Sequence, residues 1–388
     1  MFMRKAMRWL VQTICMVALL AFTSLAAAAP VSSPYSTLPP SPVQGGVFQR
    51  GDEAMPVILD ADMVDLFDDG VAMMMLAKSP RIDLLGVTIC IGNSWAEDGV
   101  ASAIRQLEGI KRTDIPVFQG VNRTIRKNRY KNMEKERKMF GWGKETYMGS
   151  VSYPQPKSWL DAYRERFKEE PSVMPQKEHA VDYLIRTIKA RPHEVTVIAI
   201  GTGANMAAAL KKAPEIAPLI KRIIYMGGAF YHEGNSTPLA EFNYWIDPEA
   251  AKIMIRAPYP DQIFLPLDVC EKVTIDYKDF LELEKRIKNP LFKSMWENHY
   301  MVGLFRKDPE HYTNYIWDVL AAAVAIDPTL VQEEYYQFVD VNDVYSPCYG
   351  KTIAFIGEPP VGTQKAHIVQ TIDRERLWPM ILEVFDEL

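Results

Sequence analysis

Short apolar runs alternate with helix-patterned segments along most of this chain, and that alternation most narrows the folds open to it. Pro56 to Leu59, Leu84 to Ile89, Pro116 to Phe118, Val195 to Ile200, Ile223 to Met226 and Ile263 to Leu267 read as strands. Between them, Asp69 to Ala77, Ala96 to Glu108, His179 to Ala190, Asn205 to Lys212 and Pro248 to Arg256 read as helices. Such a rhythm predicts an α/β fold, a mostly parallel, doubly wound sheet flanked by helices on both faces. Ligands in these folds bind beyond the carboxyl ends of the strands, so residues that carry chemistry are expected just past them.

One stretch, about 122–175, breaks the rhythm and reads as an irregular insertion. Within it, Arg123 to Lys138 holds eight Lys or Arg and two Glu, the composition of a solvated helix or loop. Farther on, Phe140-Gly-Trp142-Gly and Tyr147-Met-Gly combine mobile glycines with aromatics, as loops that close over active sites do; a plain surface loop has the same look.

The first 29 residues read as a signal peptide. Arg4, Lys5 and Arg8 form a basic start, an apolar run follows from Trp9 to Leu25, and Ala26 to Ala29 offers a small-residue cleavage site. An uncleaved anchor is the competing reading, but the run is short and no stop-transfer pattern follows. The expectation is an exported protein, periplasmic or extracellular, with no lasting membrane anchor. Residues 30–51, rich in Pro, Ser and Gly, read as a linker or extended arm, and 52–388 as the folded domain. Losing the leader takes the formal net charge of the 388-residue chain from −5 to −8, which argues against nucleic acid as a partner. Cys90, Cys270 and Cys348 then remain, an odd and low count that excludes a disulfide framework.

The densest chemical signal is Asp60-Ala-Asp62-Met-Val-Asp65-Leu-Phe-Asp68-Asp69, five carboxylates within ten residues directly after an apolar strand. Carboxylates this close repel and raise one another's pKa, and a cation is the simplest remedy. All-oxygen ligands suit a hard ion, Ca²⁺ or Mg²⁺. Helix capping by Asp68 or Asp69 accounts for one or two of these residues, not for all five.

Here the sequence resembles the inosine–uridine nucleoside hydrolase family, whose members open with a strand, Asp-x-Asp, a short gap and Asp-Asp. The gap here is two residues longer than in the best-known members, and Met63 to Phe67 departs from their pattern. Five further segments follow in the family's order. Val87 to Asn93 is similar to the second strand and its ribose-binding Asn. Val195 to Asn205 is similar to the strand and turn that lend a metal-binding carbonyl. Met226-Gly-Gly-Ala with Gly234-Asn235 to Asn243 resembles the substrate loop, with Asp247-Pro behind it. Trp317-Asp318, opening an alanine-rich helix, resembles the site of the last metal-binding Asp, and Tyr349 to Thr352 the closing strands.

The resemblance implies a nucleoside hydrolase-like fold with a Rossmann-like core. It implies hydrolysis of the N-glycosidic bond of a ribonucleoside to ribose and free base, using Ca²⁺-activated water. It assigns Asp62, Asp69, Asp318 and the Ile200 carbonyl to Ca²⁺, and Asp62 also to proton removal from water. Asp68, Asn93, Asn235, Glu241 and Asn243 would hold the ribose. It further implies a small-molecule nucleoside or ribosyl substrate as partner, and it suggests a homo-oligomer, a dimer or tetramer. Many members carry a His before the last metal-binding Asp as an acid for the leaving base. Trp317 stands there instead and would either stack on the base or pack beneath the site. His232 and His311 are candidate replacements, though ordinary surface roles suit both. A hydrolase for a non-nucleoside ribosyl compound stays open, since only the sugar-binding half of the site is well matched, and two further rival readings stay open on the residues alone. One is a non-catalytic nucleoside- or sugar-binding protein on the same fold. The other is a haloacid-dehalogenase-like phosphatase with Asp60 as nucleophile, which leaves Asn235 to Asn243 and Trp317-Asp318 unexplained.

Overall fold

The run expected as the first strand of the domain forms β2 (Met55–Ala61), buried over its last five residues. A strand covered on both faces belongs inside a parallel sheet with helices on either side. Its side chains alternate as strand geometry requires. Val57, Leu59 and Ala61 enter one apolar core and Ile58 the other, on the opposite face of the sheet. The computed structural model describes residues 31–32 and 54–388 apart from Phe67, Glu145 and Glu387. The signal peptide and the arm expected over 1–51 therefore lie outside the described residues, except for Val31–Ser32, which forms β1.

The remaining strands are β3 (Ile82–Ile89), β4 (Val117–Gln119), β5 (Thr196–Ala199), β6 (Arg222–Met226), β7 (Gln262–Leu265), β8 (Thr274–Ile275), β9 (Asn314–Tyr315), β10 (Val331–Val341), β11 (Thr352–Phe355) and β12 (Gln364–Ile372). The ten-stranded sheet runs β1-β10-β12-β7-β6-β5-β2-β3-β4, with β11 on β10. From β12 to β4 every pairing is parallel. Only the far edge, where β10 meets β1, β11 and β12, is antiparallel. The pair β8 and β9 stands apart as a small ribbon.

The chain leaves β2 for β3 and β4 on one side and then returns to β5 on the other. This reversal makes a crevice at the carboxyl ends of β2 and β5, the usual ligand position in such sheets. Two helices start beside it, Asp69–Lys78 and Asp318–Ile326. The first is buried from Asp69 through Ala77 and the second throughout, as expected for helices built almost wholly of Met, Ala, Val and Leu. Each large apolar side chain buried in this way contributes on the order of 1.5–3 kcal/mol, so both helix starts are anchored firmly.

Predicted element limits match to within about two residues, with one exception. The stretch expected to be irregular holds two helices, Arg129–Met139 and Trp159–Phe167. The first is not simply solvated. Arg129, Met133 and Glu136 are buried on one face while Lys131, Glu134, Lys135 and Lys138 are exposed. Among the described residues, no helix is long and apolar enough to cross a membrane.

Candidate active site

The two buried helices bring acidic groups together from opposite parts of the chain. Oxygens of Asp68, Asp69 and Asp318 lie within 4.8 Å of one another. The backbone N–H of Asp318 donates to Asp68 Oδ1 at 2.9 Å, so a carboxylate 250 residues away caps the second helix. Both helices aim their positive ends at this spot, which favours carboxylates in their first turns. That help is far from enough. Burial, then the mutual repulsion of Asp62, Asp68 and Asp69, pushes the Asp69 carboxyl well above the usual carboxylate range. Asp318 is raised likewise, by burial and then by Asp68, Asp69 and Asp62. Both carboxylate oxygens of Asp69 lack a hydrogen-bond partner although they are buried. Oxygens left bare and crowded in this way fit a hard divalent cation.

Asp62 is fully buried but is not one of the three mutually close carboxylates. Its Oδ2 accepts the Asn93 backbone N–H at 2.6 Å, and its Oδ1 faces Asn93 Nδ2 at 3.5 Å. Burial foremost, with repulsion from Asp68 and Glu241 behind it, lifts Asp62 to about 7. Two glycines make room for it. A Cβ on Gly92 would fall on the Asp62 carboxylate, and one on Gly201 would press on its backbone nitrogen.

The long loop between Asp62 and Asp68 is braced from below by Gln106, fully buried on the helix Ala96–Gly109. Gln106 Oε1 accepts the Leu66 N–H at 3.1 Å, and Nε2 donates to the Val64 carbonyl at 3.2 Å. Ser94 Oγ donates to the carbonyls of Asp62 and Met63. Leu66 takes a positive φ of 50° here, strained backbone that this bracing holds in place.

The Ile200 carbonyl follows β5 and accepts Asn243 Nδ2 at 3.0 Å; the same amide also reaches the Met226 carbonyl at 3.3 Å. Asn243 Oδ1 is buried without a partner. Glu241 caps the short helix Phe242–Ile246 by accepting the N–H groups of Asn243 and Tyr244, and it accepts Gly228 N–H as well. Burial raises it to about 7 despite those three bonds. Ile200, Glu241 and Asn243 thus converge on the crevice. Asn235 lies at the exposed edge of the same loop, its side-chain oxygen taken by the Phe242 N–H at 2.9 Å.

Trp317 precedes Asp318, half-buried against the core, with its indole N–H lacking a partner. His311 is exposed and meets Asp308, while His232 meets the Glu233 carbonyl and Glu271, so both make the contacts of surface histidines. Asp60 is fully enclosed in the sheet, where Thr88 Oγ1 at 2.7 Å and Asn205 Nδ2 at 2.8 Å donate to its Oδ1. Burial lifts it to about 6. That placement suits a support beneath the crevice, not a nucleophile open to substrate.

Two contributors to the site, Ser94 and Gln106, carry no distinguishing mark in the sequence, and a third, Tyr147, belongs to the aromatic loop that the sequence singles out. The Tyr147 O–H donates to the Asn93 carbonyl at 2.6 Å, and its ring stacks on Phe242 at 5.7 Å. The aromatic loop of the insertion therefore lies across the site. Ser150 N–H on the Gly92 carbonyl at 2.9 Å pins it there.

Fold and site together define an α/β protein with a buried acidic cluster, able to hold a divalent cation, at the switch point of its sheet. The family model described as inosine–uridine preferring nucleoside hydrolase matches residues 57–379, and the chain belongs to that family of N-glycosyl hydrolases. It is 31% identical over 348 residues to the pyrimidine-specific ribonucleoside hydrolase RihB of Escherichia coli O9:H4 (strain HS), covering 85% of this chain and 97% of that one. Among solved structures it is similar to a plant nucleoside hydrolase, PpNRh1, with a TM-score of 0.69 and 26% identity over 86% of this chain and 99% of the other. It is also similar to the purine-preferring ribonucleoside hydrolase of Gardnerella vaginalis, with a TM-score of 0.67 and 26% identity over 85% and 99%.

Proposed function

We propose that this chain hydrolyses the N-glycosidic bond of ribonucleosides, releasing ribose and free base, with Ca²⁺ as its metal. One observation carries the reading. Carboxylates of Asp68, Asp69 and Asp318, from segments 250 residues apart, meet beside bare buried oxygens at the sheet's switch point.

Asp62, Asp69, Asp318 and the Ile200 carbonyl would hold the ion, with Asp68 steadying Asp318. Calcium takes six to eight oxygens, so this set leaves room for water and sugar hydroxyls. When bound, the ion supplies Lewis acidity that makes water easier to deprotonate. Asp62 takes the proton from the attacking water, oriented for this by the Asn93 N–H. The water oxygen bonds to C1′, the C1′–N bond breaks, and its electron pair leaves with the base, which then gains a proton. Charge builds on the ribose ring on the way, as in other glycoside cleavage. Asn93, Asn235, Glu241, Asn243 and Asp68 hold the sugar hydroxyls in the geometry that this charge requires. Trp317 offers a flat wall to the leaving base. The relatives divide between pyrimidine and purine nucleosides, so that wall, rather than the sugar half, would set base preference.

The test is a panel of purine and pyrimidine ribonucleosides assayed for free ribose, with Ca²⁺ and with chelator. Ribose release that calcium restores supports the reading. Binding of nucleosides without any turnover, or turnover indifferent to chelator, overturns it.

A further inference from the structure

Arg129 is among the bulkiest fully buried side chains in the described structure, and its partners are unusually directed. Nη1 and Nη2 donate to both oxygens of Glu136, at 2.8 and 3.2 Å. Nε donates to the carbonyls of Trp245 and Ile246, each at 3.1 Å, and Nη2 donates to the Trp245 carbonyl as well. Glu136 Oε2 in turn accepts the Trp245 indole N–H at 2.6 Å. The guanidinium also lies 5.2 Å from the Trp245 ring and 4.9 Å from the Tyr349 ring. One ion pair on the helix Arg129–Met139 thus grips Trp245 by both its main chain and its side chain.

Trp245 and Ile246 close the helix Phe242–Ile246, which is five residues long. A helix this short cannot hold itself, because forming the first turn costs more than its single hydrogen bond returns. Its final carbonyls also have no partners within the helix. Glu241 holds its front end, and Arg129 holds its rear end. Asn243 sits between the two clamps with its amide on the Ile200 carbonyl and its oxygen free for a ligand. An apolar plug would fill the same space. Only a planar, forked donor also fixes the angle at which the two carbonyls, and so the helix, are held.

We infer that the Arg129–Glu136 pair is a positioning device for the sugar-binding helix, acting on the reaction through Asn243 and Glu241. The basic segment of the insertion therefore contributes to catalysis without touching substrate. This rests on the proposed role of Asn243 in holding the sugar.

A double-mutant cycle in the full-length, calcium-loaded protein tests it, using whichever of uridine or inosine the wild type cleaves faster. Arg129→Met is expected to lower kcat about 10- to 100-fold, on the scale of a 1 Å misplacement, with calcium affinity within about twofold of wild type. Arg129→Lys, which keeps the charge but not the fork, restores less than half of the loss on a logarithmic scale. Combined with Asn243→Ala, Arg129→Met adds less than about threefold to the loss of Asn243→Ala alone. Losses that multiply overturn the proposal. If Arg129→Met does not fold, Trp245→Phe removes the indole donor together with part of the ring that Arg129 covers, and must show the same masking by Asn243→Ala; multiplying losses there overturn it equally. An Asn243→Ala variant with wild-type rates would instead remove the sugar-binding role itself, and the positioning role with it.

Discussion

Replacing Asp69 by Asn separates what a metal does for this fold from what the carboxylates do to it. Without a cation, Asp69 is a buried acid with both oxygens unpartnered and with Asp62 and Asp68 repelling it. Asn keeps the shape and removes the charge, so metal-free Asp69→Asn should be more stable than metal-free wild type at pH 8, by about 1–3 kcal/mol. Calcium should reverse the order. At a hundredfold excess over its Kd a ligand stabilises the state it binds by about 2.7 kcal/mol, roughly 4 °C in Tm for a domain of this size. Wild type should show that shift and Asp69→Asn almost none. The pH dependence follows from the sign of the shifts. Asp62 and Glu241 titrate at about 7 when folded and near 4 when unfolded, so the folded metal-free protein binds more protons in that window. Their contribution is fully present below pH 4 and is lost as pH rises to 7. Protons and calcium compete, so the calcium-induced shift should grow over the same range. Differential scanning fluorimetry with EDTA or calcium, at pH 5, 6.5 and 8, reads all of this. Equal calcium shifts in both proteins, or a metal-free Asp69→Asn less stable than wild type at pH 8, would refute the argument.

Gly92→Ala should abolish calcium-dependent ribose release, since its Cβ falls on the Asp62 carboxylate, while Tm in EDTA drops by only a few degrees. Tyr147→Phe loses the hydrogen bond to the Asn93 carbonyl, worth about 1 kcal/mol, and steady-state kinetics should show kcat/KM reduced about fivefold. His299 caps the helix Tyr300–Lys307 by accepting the Met301 N–H through Nδ1, and burial lowers its pKa to about 4. A folded pKa below the unfolded value near 6.5 means stability that is complete above pH 6.5 and lost as pH falls toward 4. Urea titrations should show His299→Gln flattening that acid loss by on the order of 2 kcal/mol, an amount reduced by the residue's partial exposure.

The parts of this molecule legible in sequence are those whose signal is local. β2 and its aspartates announce themselves, because a strand covered on both faces is a largely apolar run and helix capping uses at most two of the five acids that end it and follow it. The Ile200 carbonyl is different. A backbone oxygen carries no residue type, so only the likeness of Val195 to Asn205 to a family pattern points to it. The helix Arg129–Met139 is hidden for the opposite reason. Its buried face is Arg129, Met133 and Glu136, and a face that includes an ion pair shows no apolar period. Gln106 gives no warning either, since a polar residue on an amphipathic helix reads as solvent-facing until a distant loop is seen to need its two ends.

The bond from the Asp318 N–H to Asp68 ties the front of the domain to its rear. Ribosomes deliver Asp68 long before Asp318, so a nascent chain carries its acidic loop without the helix that completes it. On the proposed metal site, cleavage is expected only after Asp318 has been made and docked. Chains that end before Asp318 are therefore expected to be inert toward nucleosides, and regained turnover after refolding would report on closure of the entire domain.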